Sequence, residues 1–324
     1  MLLTTPPLQA KMKIMQRSPL IILVGPTCSG KSELALSLAM KYQMEIVSAD
    51  SLQVYRYLDI GTAKPSLEDR KKVKHYLIDV ADPDEEFSAV RFMELAREVI
   101  DSLIREGTSV LVVGGTGLYI KALTKGIFRG PAADEDLRSE IKKDVQKLGK
   151  EYLYQRLKEV DPASASRIHP NDTYRIMRAL EVYELTQKPM SSYQSSHAFR
   201  ESPYHSVKIG IERCRKELYQ RIEKRVENMI ESGLLEEVKG IMEKGYHPEL
   251  KPLQSLGYRQ VIACFNGAYD LYEAIRLIKR DTKRYAKRQL TWFKGDPEVE
   301  WFTLPEDAEK IEARVKQALE ETPE

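Results

Sequence analysis

Gly25-Pro26-Thr27-Cys28-Ser29-Gly30-Lys31-Ser32 is the stretch whose reading decides the fold. It follows the pattern G-x-x-x-x-G-K-[ST], the loop that wraps phosphate groups, and both of its flanks have the required character. Ahead of it, Leu20 to Val24 is an unbroken apolar run of the kind a buried parallel strand shows. Behind it, Leu34, Ala35, Leu38 and Ala39 recur at helical spacing, so a helix starts inside the loop. In a strand–loop–helix unit, successive backbone N–H groups and the helix N-terminus converge on anionic oxygens. Gly25 and Gly30 allow a close backbone approach that a side chain would block. Lys31 supplies a positive charge for phosphate, and Ser32 a hydroxyl for a magnesium ion. A phosphorylated ligand is therefore expected here.

Outward from the loop, the pattern is that of an α/β protein. A second strand, Glu45 to Ser48, runs into Asp50-Ser51-Leu52-Gln53. Ligands in open α/β sheets sit outside the carboxyl ends of strands, so Asp50 should face the same crevice as the phosphate loop. From position alone it is a magnesium ligand, a general base or a helix cap. His75 to Val80 reads as a short strand, and Ser88 caps a helix to about Arg105 with Phe92, Leu95, Val99 and Leu103 as its stripe and Gly107 as its stop. Val110 to Val113 is a central strand, and Gly114-Gly115-Thr116-Gly117 makes a second glycine turn that brings Thr116 near the phosphates. Alternating strands and helices of this kind predict a doubly wound parallel sheet, the P-loop NTPase-like arrangement.

The pattern changes after Gly126. From Asp134 to about Leu185 only charged amphipathic helices are apparent, punctuated at Asp161-Pro162 and at His169-Pro170-Asn171-Asp172. Arg175 and Arg178 share one helix face, with Ile176, Leu180 and Tyr183 on the buried one. Lys188 to Ser206 reads as a polar connector, and Val207 to Ile211 as a returning strand. Residues 129–200 are thus expected to form an all-helical insertion, with 18–128 and 201–295 as the catalytic core, 1–17 as a loose leader and 296–324 as an acidic helical tail.

Composition adds bounds. With 324 residues, a single core is exceeded, so an insertion or a second domain is expected. A net charge of +2 carries no global meaning, and three scattered cysteines fit neither a disulfide framework nor, with five histidines, a zinc site. No apolar run approaches the roughly 18 residues of a membrane span, so a cytoplasmic protein without a membrane partner is expected. The local charge is informative. Arg213, Arg215, Arg221 and Arg225 lead into or sit on one helix. Between Arg276 and Lys294 stand Arg276, Lys279, Arg280, Lys283, Arg284, Lys287, Arg288 and Lys294 against the single acid Asp281. With no internal pairing to explain that run, and with Tyr285, Trp292 and Phe293 interleaved, it has the footprint of a nucleic-acid contact.

A phosphate loop alone admits ATP or GTP hydrolysis or a small-molecule kinase. Val110 to Val113 ends in Gly114 rather than in a magnesium-holding acid, and no Asn-Lys-x-Asp sequence for guanine is present, which argues against the common motor and switch proteins. A kinase with the insertion as its lid stays open.

Seven stretches in order carry a resemblance: Gly25 to Ser32, Asp50 to Gln53, Gly61-Thr-Ala-Lys-Pro65, Gly114-Gly-Thr-Gly-Leu-Tyr119, Arg167-Ile-His-Pro-Asn-Asp172, Gly257-Tyr-Arg-Gln260 and Ala286-Lys-Arg-Gln-Leu-Thr-Trp292. Together they resemble the bacterial tRNA dimethylallyltransferases, or tRNA isopentenyl transferases, from about residue 18 to 295. Cys28 stands where that family commonly has alanine. The resemblance implies transfer of a dimethylallyl group from its diphosphate to the exocyclic amine of the adenine immediately 3′ of a tRNA anticodon. The loop residues Gly25, Pro26, Thr27, Cys28, Ser29, Gly30, Lys31 and Ser32, with Arg221 and magnesium at Ser32, would then hold the diphosphate leaving group. Asp50 would take the proton of the amine, with Thr116 bonding nearby. The adenine must leave the anticodon-loop stack to enter the pocket. The resemblance further implies tRNA contacts from Asp50, Ser51, Leu52, Gln53, Thr116, Arg138, Tyr174, Arg175, Ile176, Met177, Arg178, Gln254, Gly257, Tyr258, Arg259, Arg284, Lys287 and Arg288. A monomer is expected. A related prenyltransferase acting on free AMP or ADP would have no use for the basic helix or the insertion arginines.

Overall fold

The computed structural model describes residues 19–128, 130–197 and 201–321, so the leader expected at 1–17 lies outside the described residues. Six strands form one sheet in the order β3-β2-β4-β1-β5-β6, with every pairing parallel. They are β1 (Leu20–Val24), β2 (Glu45–Ser48), β3 (His75–Tyr76), β4 (Val110–Gly114), β5 (Ser206–Glu212) and β6 (Val299–Thr303). β1 is central, with Leu23 in register with Val113 on one side and Ile209 on the other. It is apolar throughout because both faces are covered. Leu20, Ile22 and Val24 point into a core shared with helices Ala89–Arg105 and Leu234–Glu243. Ile21 and Leu23 point into a second core built with helices Lys31–Tyr42 and Ala308–Glu320. That alternation is the two-residue period of a strand read out on two layers of helix.

Local signals account for most element ends. The Ser88 hydroxyl accepts from the Arg91 amide to start helix Ala89–Arg105, and Gly107, with a φ of 78°, follows its end. Its buried stripe runs through Phe92, Met93, Ala96, Ile100, Leu103 and Ile104, while Leu95 and Val99 are only partly covered.

Three expectations are corrected. The strand expected over His75 to Val80 stops after Tyr76, since Leu77 and Asp79 take left-handed backbone conformations that no ladder accommodates. The connector from Lys188 contains a helix, Met190–His197. The acidic segment after Lys294 is no appended tail. β6 pairs with β5 along the sheet edge, and Ile311, Val315 and Ala318 of the final helix are fully buried in the second core.

The chain divides into two compact units, one formed by Lys125–Glu201 and one by the segments on either side of it. The smaller unit is helical, with its own core of Ile141, Leu153, Leu157, Ala165, Ile168, Ile176, Ala179 and Leu180. Asp172 caps helix Thr173–Thr186 by accepting from the Arg175 amide. Gly149, with a φ of 87°, breaks the long helix Glu135–Val160.

Candidate active site

The phosphate loop joins β1 to helix Lys31–Tyr42. Gly25 has a φ of 146°, and a Cβ there would lie 2.4 Å from the Ile211 carbonyl oxygen of β5, so glycine alone fits. The loop carbonyls are held by cations. Lys31 Nζ donates to Pro26 O at 3.0 Å, Arg221 Nε to Cys28 O at 3.0 Å and Arg213 Nε to Ser29 O at 2.7 Å. Arg225 Nη1 donates to the Thr27 hydroxyl at 3.0 Å, and its Nη2 to Thr62 O at 3.3 Å. The Thr27 amide donates to Gln289 Oε1 at 2.8 Å. By contrast, the amides of Cys28, Gly30, Lys31 and Ser32 have no partner among the described residues. The Ser29 hydroxyl is fully buried and likewise unpartnered. Open donors around a lysine at a helix N-terminus are the ingredients of an anion cradle.

Burial lowers the Lys31 pKa to about 8; Asp50 pulls it up, and Arg225 pushes it further down. Asp50 is therefore near enough to act electrostatically on the phosphate-loop lysine. It is also near two buried phenols, Tyr119 and Tyr285, whose pKa values are raised first by burial and then by neighbours that include this carboxylate. Asp50 Oδ1 accepts from the amides of Leu52 at 2.9 Å and Gln53 at 3.3 Å, which fixes the turn after β2. Oδ2 makes no hydrogen bond among the described residues, leaving one oxygen for a proton. Thr116 Oγ1 accepts from the Ser51 amide at 3.1 Å and lies 3.3 Å from the Ser51 hydroxyl, tying the second glycine turn to the Asp50 turn.

The loop Gly61 to Pro65 belongs to the same network. Gln53 Nε2 donates to the carbonyls of Thr62 and Ala63, both at 3.3 Å, and its Oε1 accepts from Ser48. Thr62 O is thus shared by Gln53 and Arg225, which links the Asp50 turn to the phosphate loop. Glu237 accepts from the amides of Asp59, Ile60 and Gly61 and from the Tyr258 phenol at 2.6 Å. Lys64, almost wholly buried, pairs with Asp59 and Asp79.

Several expected contact residues are differently employed. Tyr258 is fully buried against the loop that Glu237 holds, and Ile176 is 1% exposed in the core of the smaller unit, so neither side chain reaches a ligand. The Gln53 amide is spent internally. Arg178, expected to share an open face with Arg175, instead joins Arg138 in bonding the buried carboxylate of Glu181. Burial pushes the Glu181 pKa up, but these guanidiniums and the Asp134 amide outweigh it and hold it below the ordinary value. Met177 packs partly against the same core. Tyr174 and Arg175 are exposed.

The basic helix, Leu271–Lys294, is also more neutralised than its own sequence implies. Lys279 pairs with Glu227 and Lys283 with Glu223, both on helix Arg215–Glu231; Arg276 pairs with Glu273 and Lys294 with Glu212. Asp281 takes Arg259 and Arg280, with Arg284 at 3.6 Å. Lys287 and Arg288 are exposed and make no ion pair among the described residues. Gln254 is exposed and bonds Pro248 O, while the N–H of Gly257 is taken by Gln260. The sequence shows Arg213 and Arg225 only as members of a charge run, gives Gln289 no role although it stands in the Ala286–Trp292 motif, and passes over Glu237.

A doubly wound parallel sheet with an open phosphate cradle after its central strand, and a carboxylate turn after the next, defines a phosphate-loop protein built around an anionic substrate. A family profile described as IPP transferase matches residues 53–296. A protein of Geotalea uraniireducens (strain Rf4) named tRNA dimethylallyltransferase 2 is 52% identical over 287 residues, covering 89% of this chain and 93% of that one. The tRNA dimethylallyltransferase of Geobacter metallireducens is 49% identical, covering 91% and 95%. The crystal structure of the full-length tRNA isopentenylpyrophosphate transferase from Bacillus halodurans superimposes with a TM-score of 0.69 at 38% identity, covering 94% of this chain and 97% of that one. A eukaryotic dimethylallyltransferase acting on tRNA gives 0.71 at 26% identity, covering 88% and 74%. The chain belongs to the IPP transferase family.

Proposed function

We infer that this protein transfers a dimethylallyl group from dimethylallyl diphosphate to tRNA, at the exocyclic amine of the adenine 3′-adjacent to the anticodon. The observation that carries the reading is the set of four open amides with Lys31, beside the free oxygen of Asp50. In the reaction the allylic C–O bond breaks, the electron pair leaves with the diphosphate, and the adenine nitrogen bonds the allylic carbon. Lys31, the open amides and Arg221 hold the negative charge that develops on the diphosphate, in a site partly shielded from water. The adenine amine is a weak nucleophile because its lone pair is delocalised into the ring; Asp50 accepts its proton as the C–N bond forms. Thr116 holds the Asp50 turn through Ser51.

Magnesium fits this cradle on its residues. The Ser32 hydroxyl makes no hydrogen bond among the described residues, and no group of three or more His, Cys, Asp or Glu there could form a dedicated cage. A hard cation held by one hydroxyl, water and diphosphate oxygens needs none, and when bound it would add positive charge at the leaving group. No described helix is long and apolar enough to cross a membrane. Substrate tRNA makes the cytoplasm the expected compartment; we also expect a monomer. Lys287, Arg288, Arg284, Arg259 and Gln254, with Tyr174 and Arg175 of the smaller unit, are the side chains proposed to meet tRNA.

The test is transfer of label from radioactive dimethylallyl diphosphate to undermodified tRNA, to AMP and to neither. Label in tRNA alone supports the reading; label in AMP, or phosphate transfer from ATP to a small molecule, overturns it.

A further inference from the structure

One side chain on the basic helix touches both glycine turns at once. Gln289 is 7% exposed on a helix whose neighbouring residues Lys287 and Arg288 face solvent. Its Oε1 accepts from the Thr27 amide at 2.8 Å, and its Nε2 donates to Gly115 O at 2.9 Å. These partners lie 262 and 174 residues away in the chain. The fit leaves no slack, since a Cβ on Gly115 would lie 2.2 Å from Nε2. One turn further along, the Trp292 indole lies against Gly117, where a Cβ would be 2.1 Å from Cδ1.

We propose that Gln289 is the positioning residue of the diphosphate site, clamping the phosphate loop to the second glycine turn so that its open amides stand at a fixed distance from Asp50. The proposal rests on the reading of that loop as the diphosphate cradle. A primary amide suits the task because it presents one acceptor and one donor in a single plane, matched to an N–H on one loop and a C=O on the other. A carboxylate reproduces the first bond and opposes the second; an apolar side chain of similar length makes neither. Buried between two backbone groups, the amide also keeps the Thr27 N–H from being left unpaired, a loss that outweighs the mean value of a hydrogen bond. With the Thr27 N–H occupied, the donors left for an anion are the amides of Cys28, Gly30, Lys31 and Ser32. Gln289 touches neither substrate; it acts through the backbone it holds.

The experiment compares the wild-type chain with Gln289→Met and Gln289→Glu. Direct binding of dimethylallyl diphosphate and of an anticodon stem-loop is measured separately, alongside steady-state kinetics and thermal melting. For Gln289→Met the expected result is at least about a tenfold rise in Kd for the diphosphate, the worth of one buried hydrogen bond, with stem-loop binding within about twofold of wild type. Gln289→Glu should recover part of that loss, more so as the pH falls, because a protonated carboxyl regains a donor for Gly115 O. Arg225, which bonds the hydroxyl of Thr27, and Tyr285, one turn back on the same helix, are the nearest charged or titratable groups that the contacts place here, so the variant is read as a ratio to wild type at each pH. A diphosphate affinity unchanged in Gln289→Met would overturn the proposal. So would a fall in both affinities that tracks a lowered melting temperature, which is the mark of a merely structural residue. If Gln289→Met does not fold, the pH-dependent ratio of Gln289→Glu decides alone, and a flat ratio overturns it. A wild-type chain that binds no diphosphate refutes the reading of the loop itself.

Discussion

Neutralising Lys31 should separate binding from stability. Burial lowers its pKa from 10.5 to about 8, against the pull of Asp50 and with the help of Arg225. Below about pH 8 the ammonium is charged and holds an anion; above it the charge is lost. A ligand bound only by the charged form weakens about tenfold per unit above that value, so dimethylallyl diphosphate should bind about tenfold less tightly at pH 9 than at pH 7. The stability effect has the opposite sense. Because the unfolded chain keeps this proton up to 10.5, the ligand-free protein gains stability as pH rises from about 8 towards 10.5. The burden of the buried charge is fully present below pH 8. Lys31→Met removes it, along with the bond to Pro26 O, and should melt no lower than wild type while failing to bind the diphosphate. Lys31→Arg should bind without the inflection near pH 8, since a guanidinium does not titrate there. Calorimetric titration across that range, with melting curves on the same samples, reads both. A wild-type affinity that is flat between pH 7 and pH 9, or a Lys31→Met chain that binds normally, would refute the reasoning.

Asp50→Asn preserves the acceptor for the Leu52 and Gln53 amides but cannot take a proton, so transfer should fall on the order of 10²- to 10⁴-fold with stem-loop binding retained; near-normal turnover in the labelling assay removes Asp50 as the base. Arg284→Glu combined with Arg288→Glu should weaken tRNA binding and flatten the dependence of log affinity on log salt by about two, leaving diphosphate affinity intact. An unchanged salt slope would mean that these side chains meet no phosphate. Ile311→Ala should cost about 2–5 kcal/mol in denaturant unfolding, because that residue is fully buried on the sheet's second face, and a loss of a few tenths would contradict its place in the core. Alkylation of Cys28, which packs beside Leu218, Ile222 and Ala286 next to the loop, should inactivate the enzyme and be slowed by bound dimethylallyl diphosphate; a rate indifferent to substrate would put the thiol outside the pocket.

The parts of the fold legible from sequence were those whose signal is local. β1, β2 and β4 are short, mainly apolar runs ending in glycine or a turn, β5 alternates apolar residues with Lys208 and Gly210, and Ser88 and Asp172 are caps with the right side chain. β6 escaped because it is an edge strand, Val299-Glu-Trp-Phe-Thr303, flanked by acids, and only Val299 is fully covered. Asp50 and Thr116 were legible because strand ends aim residues at the crevice. Gln289 stands in a quoted motif, but its partners lie 262 and 174 residues away, and the acids that neutralise the basic helix include Glu223 and Glu227, more than 50 residues away, which no local pattern reveals. Tyr258 and Ile176 show the reverse case, positions that the resemblance implies but whose side chains are buried. A recognisable motif carries buried residues along with exposed ones, and only burial tells them apart.

The position of β1 has a consequence for synthesis on the ribosome. Its two partners are made far apart in time: β4 ends at Gly114 and β5 begins at Ser206, with the helical unit between them. At roughly 5–20 residues per second, translation of that interval takes several seconds, during which one edge of the most apolar strand has nothing to pair with. The nascent chain therefore carries an adhesive flank until the second half emerges. The segment translated meanwhile can complete its own core first.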